Sequence, residues 1–171
     1  MARDAETAQR DTAAEDALAR PSLVRPTAGA VAPSGFSGLP GVSGSADDIM
    51  SYPYTTDLAA IRAVVQRHAV KAGLSEARAI DLVLAVSEVA GNTVRHAKSP
   101  GQLQIWCDAK QIICQLHDEG IITDPLAGRR RPSLEAKGGH GLWIVNEVCD
   151  QVDILSDETG TTIRLHMDLP G

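Results

Sequence analysis

The run Ser87-Glu88-Val89-Ala90-Gly91-Asn92-Thr93-Val94-Arg95-His96 sets a carboxylate and a carboxamide four residues apart. On a helix that spacing puts Glu88 and Asn92 on the same side, one turn from each other. A carboxylate there can take up a proton as a general base, and an amide oxygen can ligate a hard cation such as magnesium. The same two residues also suit the solvated rim of an amphipathic helix, so the pair alone leaves both readings open. A second acid is placed by strand parity. Ile112, Cys114 and Leu116 share one face of a strand, and the next residue on that face is Asp118. A carboxylate at the end of an apolar surface is costly unless a hydrogen-bond donor meets it. A third piece is Gly138-Gly139-His140-Gly141, just ahead of a short helical run. Glycines let a backbone approach a ligand closely, and the free amides at a helix start attract phosphate. A short glycine cluster is also an ordinary turn. This one lacks the Lys-Ser/Thr ending of a P-loop and does not follow the first strand of a βαβ unit.

The elements that must position these groups follow from caps and periods. Thr56 or Asp57 caps a first helix whose apolar side is Leu58, Ile61, Val65 and Ala69, ending near Gly73. Ser75 caps a second, longer helix from about Glu76 to Ala97, with Val83, Val86, Ala90, Val94 and Ala97 as its expected apolar stripe. After a turn at Lys98-Ser99-Pro100-Gly101, Leu103, Ile105 and Cys107 alternate with Gln102, Gln104 and Trp106 along a strand. Asp108-Ala109-Lys110 turns the chain into the strand that ends at Asp118. From Glu119 to about Gly138 runs a long segment holding Gly128 and Arg129-Arg130-Arg131, and loops of this length are usually functional or mobile. The basic run reads as a solvated loop or as a phosphate contact. A short helix, Leu142 to Val148, and strands at about Val152–Leu155 and Thr161–Met167 complete the order. In the last strand Thr161, Ile163, Leu165 and Met167 share one face, and Thr162, Arg164 and His166 the other. The pattern predicts an α/β two-layer sandwich, with helices on one face of a mainly antiparallel sheet.

Composition bounds the function. The 171 residues suffice for one domain with a sizeable core plus an extension. A net charge of −6 argues against a general nucleic-acid binder. No long apolar run predicts a membrane span, and the acidic, polar start has no signal-peptide character. Cys107, Cys114 and Cys149 show no metal-type spacing and lie in apolar patterns, which predicts buried free thiols in a reducing cytoplasm. Residues 1–50 are rich in Ala, Gly, Ser and Pro without a sustained apolar period, and read as a disordered extension ahead of a domain over 51–171.

With these residues in hand, the stretch from about Thr55 to Leu169 resembles the ATP-binding domain shared by gyrase B, the heat-shock chaperone ATPase, histidine kinases and mismatch-repair ATPases (GHKL, the Bergerat fold). Glu88-Val89-Ala90-Gly91-Asn92 is similar to the family's first box, Asp118-Glu119-Gly120 to its second, and Gly139-His140-Gly141-Leu142 to its third. Leu84-Ala85-Val86-Ser87-Glu88, His96 and the Gly-His-Gly-Leu-Trp-Ile-Val run most resemble the bacterial anti-sigma-factor serine/threonine kinases. Ile122-Thr123-Asp124-Pro125-Leu126-Ala127-Gly128-Arg129 looks like the lid of their actinobacterial members.

The resemblance implies roles. Asn92 would ligate magnesium bridging the phosphates of ATP, and Glu88 would take the proton from an attacking serine hydroxyl. Asp118 would accept from the adenine amino group, with Gly120 letting the base approach and Thr161 supporting the adenine site. Gly139, His140, Gly141 and Leu142 would line the nucleotide, with the Gly139 and Gly141 amides on phosphates. Arg95 would meet phosphate or solvent. His68 and His96 read as structural or surface residues. The partners implied are a sigma factor and an anti-anti-sigma protein of the sulfate-transporter-like domain class, and relatives commonly form homodimers. One departure from the pattern is Ile122, where the second box usually carries another glycine. Two other functions fit the boxes: an ATP-binding regulator that sequesters a partner without phosphoryl transfer, and a detached histidine-kinase catalytic domain.

Overall fold

Side-chain caps start the two long helices where the sequence places them. The Asp57 carboxylate accepts from the amides of Ala59 and Ala60, both at 3.2 Å, opening α1 (Leu58–Lys71). Gly73, just past the C-cap, has φ 92°, a left-handed conformation that releases the chain from the helix. Ser75 Oγ accepts from the Arg78 amide at 3.3 Å and opens α2 (Glu76–His96). The structure, a computed structural model, describes residues 49–97, 99–124, 126–133 and 139–171. The extension expected over residues 1–50 therefore lies almost wholly outside the described residues.

Among the described residues, five strands form one antiparallel sheet in the order β1-β2-β3-β5-β4. They are β1 (Met50–Tyr54), β2 (Gly101–Cys107), β3 (Gln111–Asp118), β4 (Gln151–Asp157) and β5 (Gly160–Asp168). Strand β1 is absent from the sequence reading. It has only five residues and contains Pro53, which an edge strand tolerates because its outer amides need no partner. The short helix α3 (His140–Val148) begins two residues before Leu142, the start expected from periodicity.

The helices pack on one face, as expected of a two-layer α/β sandwich. Leu103, Ile105, Ile112, Cys114, Leu116, Ile163, Leu165 and Met167 meet Leu82, Val86, Val89 and Val145 in a single core. The buried arc of α2 is offset from the expected stripe. It runs through Ala79, Leu82, Val86, Val89 and Thr93, whereas Val94 is 39% exposed. Helix α2 touches α1, α3 and the sheet, so three neighbours rather than the valine spacing decide which side is covered. The thiols also divide: Cys114 is buried and Cys149 half-buried, but Cys107 is exposed, because it ends β2 at the rim of the sheet.

Helix α3 is held in place at its far end. Arg78, in the first turn of α2, donates to the Val148 carbonyl at 2.8 Å and pairs with Asp150. Among the described residues no helix is long and apolar enough to cross a membrane.

Candidate functional site

A cavity of about 880 Å³ opens between α2, the ends of β3 and β5, and the start of α3. Glu88, Asn92, Asp118, Gly120, Gly139, His140, Gly141, Leu142 and Thr161 all line it. Every site residue named from the sequence thus faces one space, of a size that suits a small organic ligand.

At the sheet end of the cavity, polar groups brace one another. Strand β3 delivers Asp118 opposite Thr161 of β5. One Asp118 oxygen accepts from the Gly120 amide at 2.7 Å, and the other from the Thr93 hydroxyl at 2.6 Å. The donors that this carboxylate needs are therefore supplied by the protein itself. Each oxygen keeps a lone pair for a further donor in the cavity. Thr93 in turn shares a hydrogen bond of 3.0 Å with the Tyr54 hydroxyl from β1. Burial first, and then the nearby Asp118 charge, push the Tyr54 hydroxyl up to about 12, against the hydrogen bond shared with Thr93, so it is protonated at neutral pH.

A second chain of bonds fixes the loop after β3. The Ile122 amide donates to Ser156 Oγ at 2.9 Å, Ser156 shares a 2.7 Å bond with Thr161, and Thr161 donates to the Gly120 carbonyl at 2.7 Å. Gly120 is needed there on steric grounds, because a Cβ would lie 2.8 Å from an Asp118 oxygen. Neither Thr93 nor Tyr54 was singled out from the sequence. The available signal was a hydroxyl on the buried arc of α2, next to Asn92.

The helical end of the cavity is more open. Gly139 caps α3 at φ 84° without a side-chain hydrogen bond. Gly139, His140, Gly141 and Leu142 line the cavity, so the uncapped start of the helix, with a dipole favourable to an anion, borders it. Glu88 packs against this helix start, and a Cβ on Gly141 would lie 2.7 Å from its carboxylate oxygen. One turn on, Asn92 Oδ1 accepts from Arg95 Nη2 at 2.7 Å, and Arg95 also lines the cavity. The three arginines of the loop separate: Arg130 lines the cavity, Arg129 borders a neighbouring groove, and Arg131 stacks over Trp143 at 5.4 Å. His96 is exposed at the rim. His68 does not line the cavity and shares a 3.0 Å bond with the Tyr52 hydroxyl, a structural contact between α1 and β1.

The donor set fits magnesium only together with a phosphate ligand. Among the described residues no three acidic, histidine or cysteine side chains cluster as a metal cage. Magnesium is commonly held by one or two protein oxygens, with phosphate and water filling its octahedron, and Asn92, on α2 and lining the cavity, would supply one such oxygen.

The sequence matches the family model of the histidine kinase-like ATPase domain over residues 53–167. No curated protein matches it. Among solved structures, the chain is similar to the RsbU and RsbW domains of Rv1364c from Mycobacterium tuberculosis, with 17% identity and a TM-score of 0.48, covering 71% of this chain and 34% of that one. It is also similar to the histidine kinase domain of the blue-light activated histidine kinase of Erythrobacter litoralis EL346, with 19% identity and a TM-score of 0.47, covering 66% of this chain and 59% of that one. In each case the similarity spans less than two thirds of the other chain.

Proposed function

The chain belongs to the histidine kinase-like ATPase domain family, and from that premise we propose that it is an ATP-dependent serine/threonine kinase of the anti-sigma type. It acts in the cytoplasm, phosphorylates an anti-anti-sigma protein, and in its alternative state holds a sigma factor. The observation that carries this reading is the shared cavity: the Asp118 carboxylate at one end, and Glu88, Asn92 and the α3 amides at the other.

Each group has a role that its position supports. Asp118, oriented by Thr93 and Gly120, accepts the adenine amino group. The amides from Gly139 to Leu142 hold phosphate oxygens. Asn92 Oδ1 supplies a protein ligand to magnesium, whose charge offsets the charge of the phosphates. Glu88 takes the proton of the serine hydroxyl as its oxygen bonds to the terminal phosphorus and the bond to the ADP oxygen breaks. Phosphoryl transfer depends chiefly on such positioning and charge neutralisation.

The experiment is transfer of labelled phosphate to the cognate acceptor by wild type and Glu88→Ala. The reading predicts labelling by the wild type only, with ATP still bound by both. Equal labelling by the two proteins removes Glu88 as the base.

A second reading, nucleotide-dependent partner binding without transfer, draws on the Arg95 guanidinium, which engages the Asn92 oxygen that magnesium would use. It predicts that a wild type which binds ATP labels no acceptor, and that Asn92→Ala leaves partner affinity unchanged by calorimetry.

A further inference from the structure

The hydrogens of the brace at the sheet end of the cavity can point only one way. A carboxylate accepts and does not donate. The Thr93 hydroxyl has a single hydrogen, and its 2.6 Å bond to Asp118 Oδ2 uses it. Thr93 Oγ1 is then the acceptor in its 3.0 Å bond with Tyr54, so the phenol is the donor. Thr93 has a second acceptor in reach. Its Oγ1 lies 3.4 Å from the Val89 carbonyl one turn back, a partner that helix threonines often take. A hydroxyl turned to Val89 gives Asp118 nothing. A phenol donating to Thr93 polarises the hydroxyl and strengthens its bond to the carboxylate. The chain also makes room for this phenol. Tyr54 of β1 pairs with Gly101, the first residue of β2, and a Cβ on Gly101 would overlap the Tyr54 ring and its hydroxyl.

We propose that Tyr54 is a positioning residue, acting through Thr93, that makes the Asp118 corner selective for a purine carrying an exocyclic amino group over one without it. This rests on the reading of Asp118 as the acceptor for adenine. The Gly120 amide holds one Asp118 oxygen at 2.7 Å, and the Tyr54–Thr93 pair holds the other. With both oxygens tied, the plane of the carboxylate is set, and so are the directions of the lone pairs left for a ligand. A carboxylate free to rotate turns back to water when a base offers it no donor. One that is fixed stays aimed at the base, and a base without the amino group leaves it unpaired. That unmet acceptor is what a site uses to reject the wrong ligand. Tyr54 touches Thr93 and not the base, so its effect on the ligand is carried wholly by the direction of the Thr93 hydroxyl.

The test titrates the full chain, with magnesium present, with ATP and with purine riboside triphosphate, which lacks the exocyclic amino group. Wild type is expected to bind ATP several-fold more tightly than the analogue by calorimetry. Tyr54→Phe is expected to remove most of that preference, weakening ATP several-fold and the analogue much less. In a Thr93→Val background, adding Tyr54→Phe is expected to lower the preference no further, because the phenol acts through Thr93. Thr93→Ser keeps a hydroxyl, and with it the preference. A Tyr54→Phe protein that keeps the wild-type preference, even if both ligands bind more weakly through lost packing, overturns the proposal and leaves the adenine contact at Asp118 standing. A further drop in preference when Tyr54→Phe is added to Thr93→Val overturns it as well. Wild type that binds the two ligands equally shows instead that Asp118 receives no amino group, and removes that reading together with the proposal.

Discussion

The two ends of the cavity are built by different means. At the sheet end, Asp118 is held by Thr93 and Gly120, Thr93 by Tyr54, and the following loop by Thr161 and Ser156. At the helical end, Glu88 and Asn92 stand on α2 opposite a glycine-capped helix whose first amides have no side-chain cap. The difference matches what the proposed function asks each end to hold. A planar base is selected by fixed donors and acceptors, so rigidity there sets specificity. A phosphate chain with a metal changes charge and shape during transfer, so that end needs amides and space, and a cation already present in Arg95.

Several substitutions break or sharpen this contrast, and the braced end gives the largest effect. Thr93→Val removes a hydroxyl that touches Asp118 and leaves the buried Tyr54 hydroxyl without that partner. It is expected to cost about 1–3 kcal/mol of stability by denaturant unfolding and to weaken ATP binding as well. Gly141→Ala acts at the open end. Its Cβ displaces the Glu88 carboxylate, a flexible group, while alanine favours the helix by up to about 1 kcal/mol. Phosphate transfer therefore falls several-fold with stability unchanged or raised, a split that unfolding and kinase assays read together. Arg95→Ala frees the Asn92 oxygen, and a modest gain in the magnesium-dependent part of ATP affinity is expected by calorimetry.

The smallest effect lies outside both ends. Burial first, then Lys71 and Arg67, hold His68 below the ordinary histidine pKa. Its stabilising contribution is therefore present above the ordinary value and lost as pH falls. Wild type is expected to lose slightly more stability than His68→Gln between about pH 7 and 5, with no change in ATP affinity at neutral pH.

The sequence made the chemistry of this site more legible than its support. Glu88 with Asn92, the acid at the end of β3, and the glycines before α3 each lie within a few consecutive residues, where spacing and parity suffice. Their brace does not. Tyr54 and Thr93 are 39 residues apart and meet only because β1 pairs with β2 beneath α2. A five-residue edge strand containing proline carries almost no periodic signal. The valine stripe of α2 misled for a related reason: alanines and Thr93 fill the arc where three neighbours approach closely, and Val94 falls outside it.

Calorimetric titration of ATP, with and without magnesium, into wild type, Asp118→Ala and Asn92→Ala tests the central claim most directly. One nucleotide spanning the cavity predicts a single site per chain. Loss of the Asp118 carboxylate should weaken it about tenfold or more under both conditions. Loss of the Asn92 amide should remove only the gain due to magnesium. Wild-type affinity retained by both variants would contradict the account.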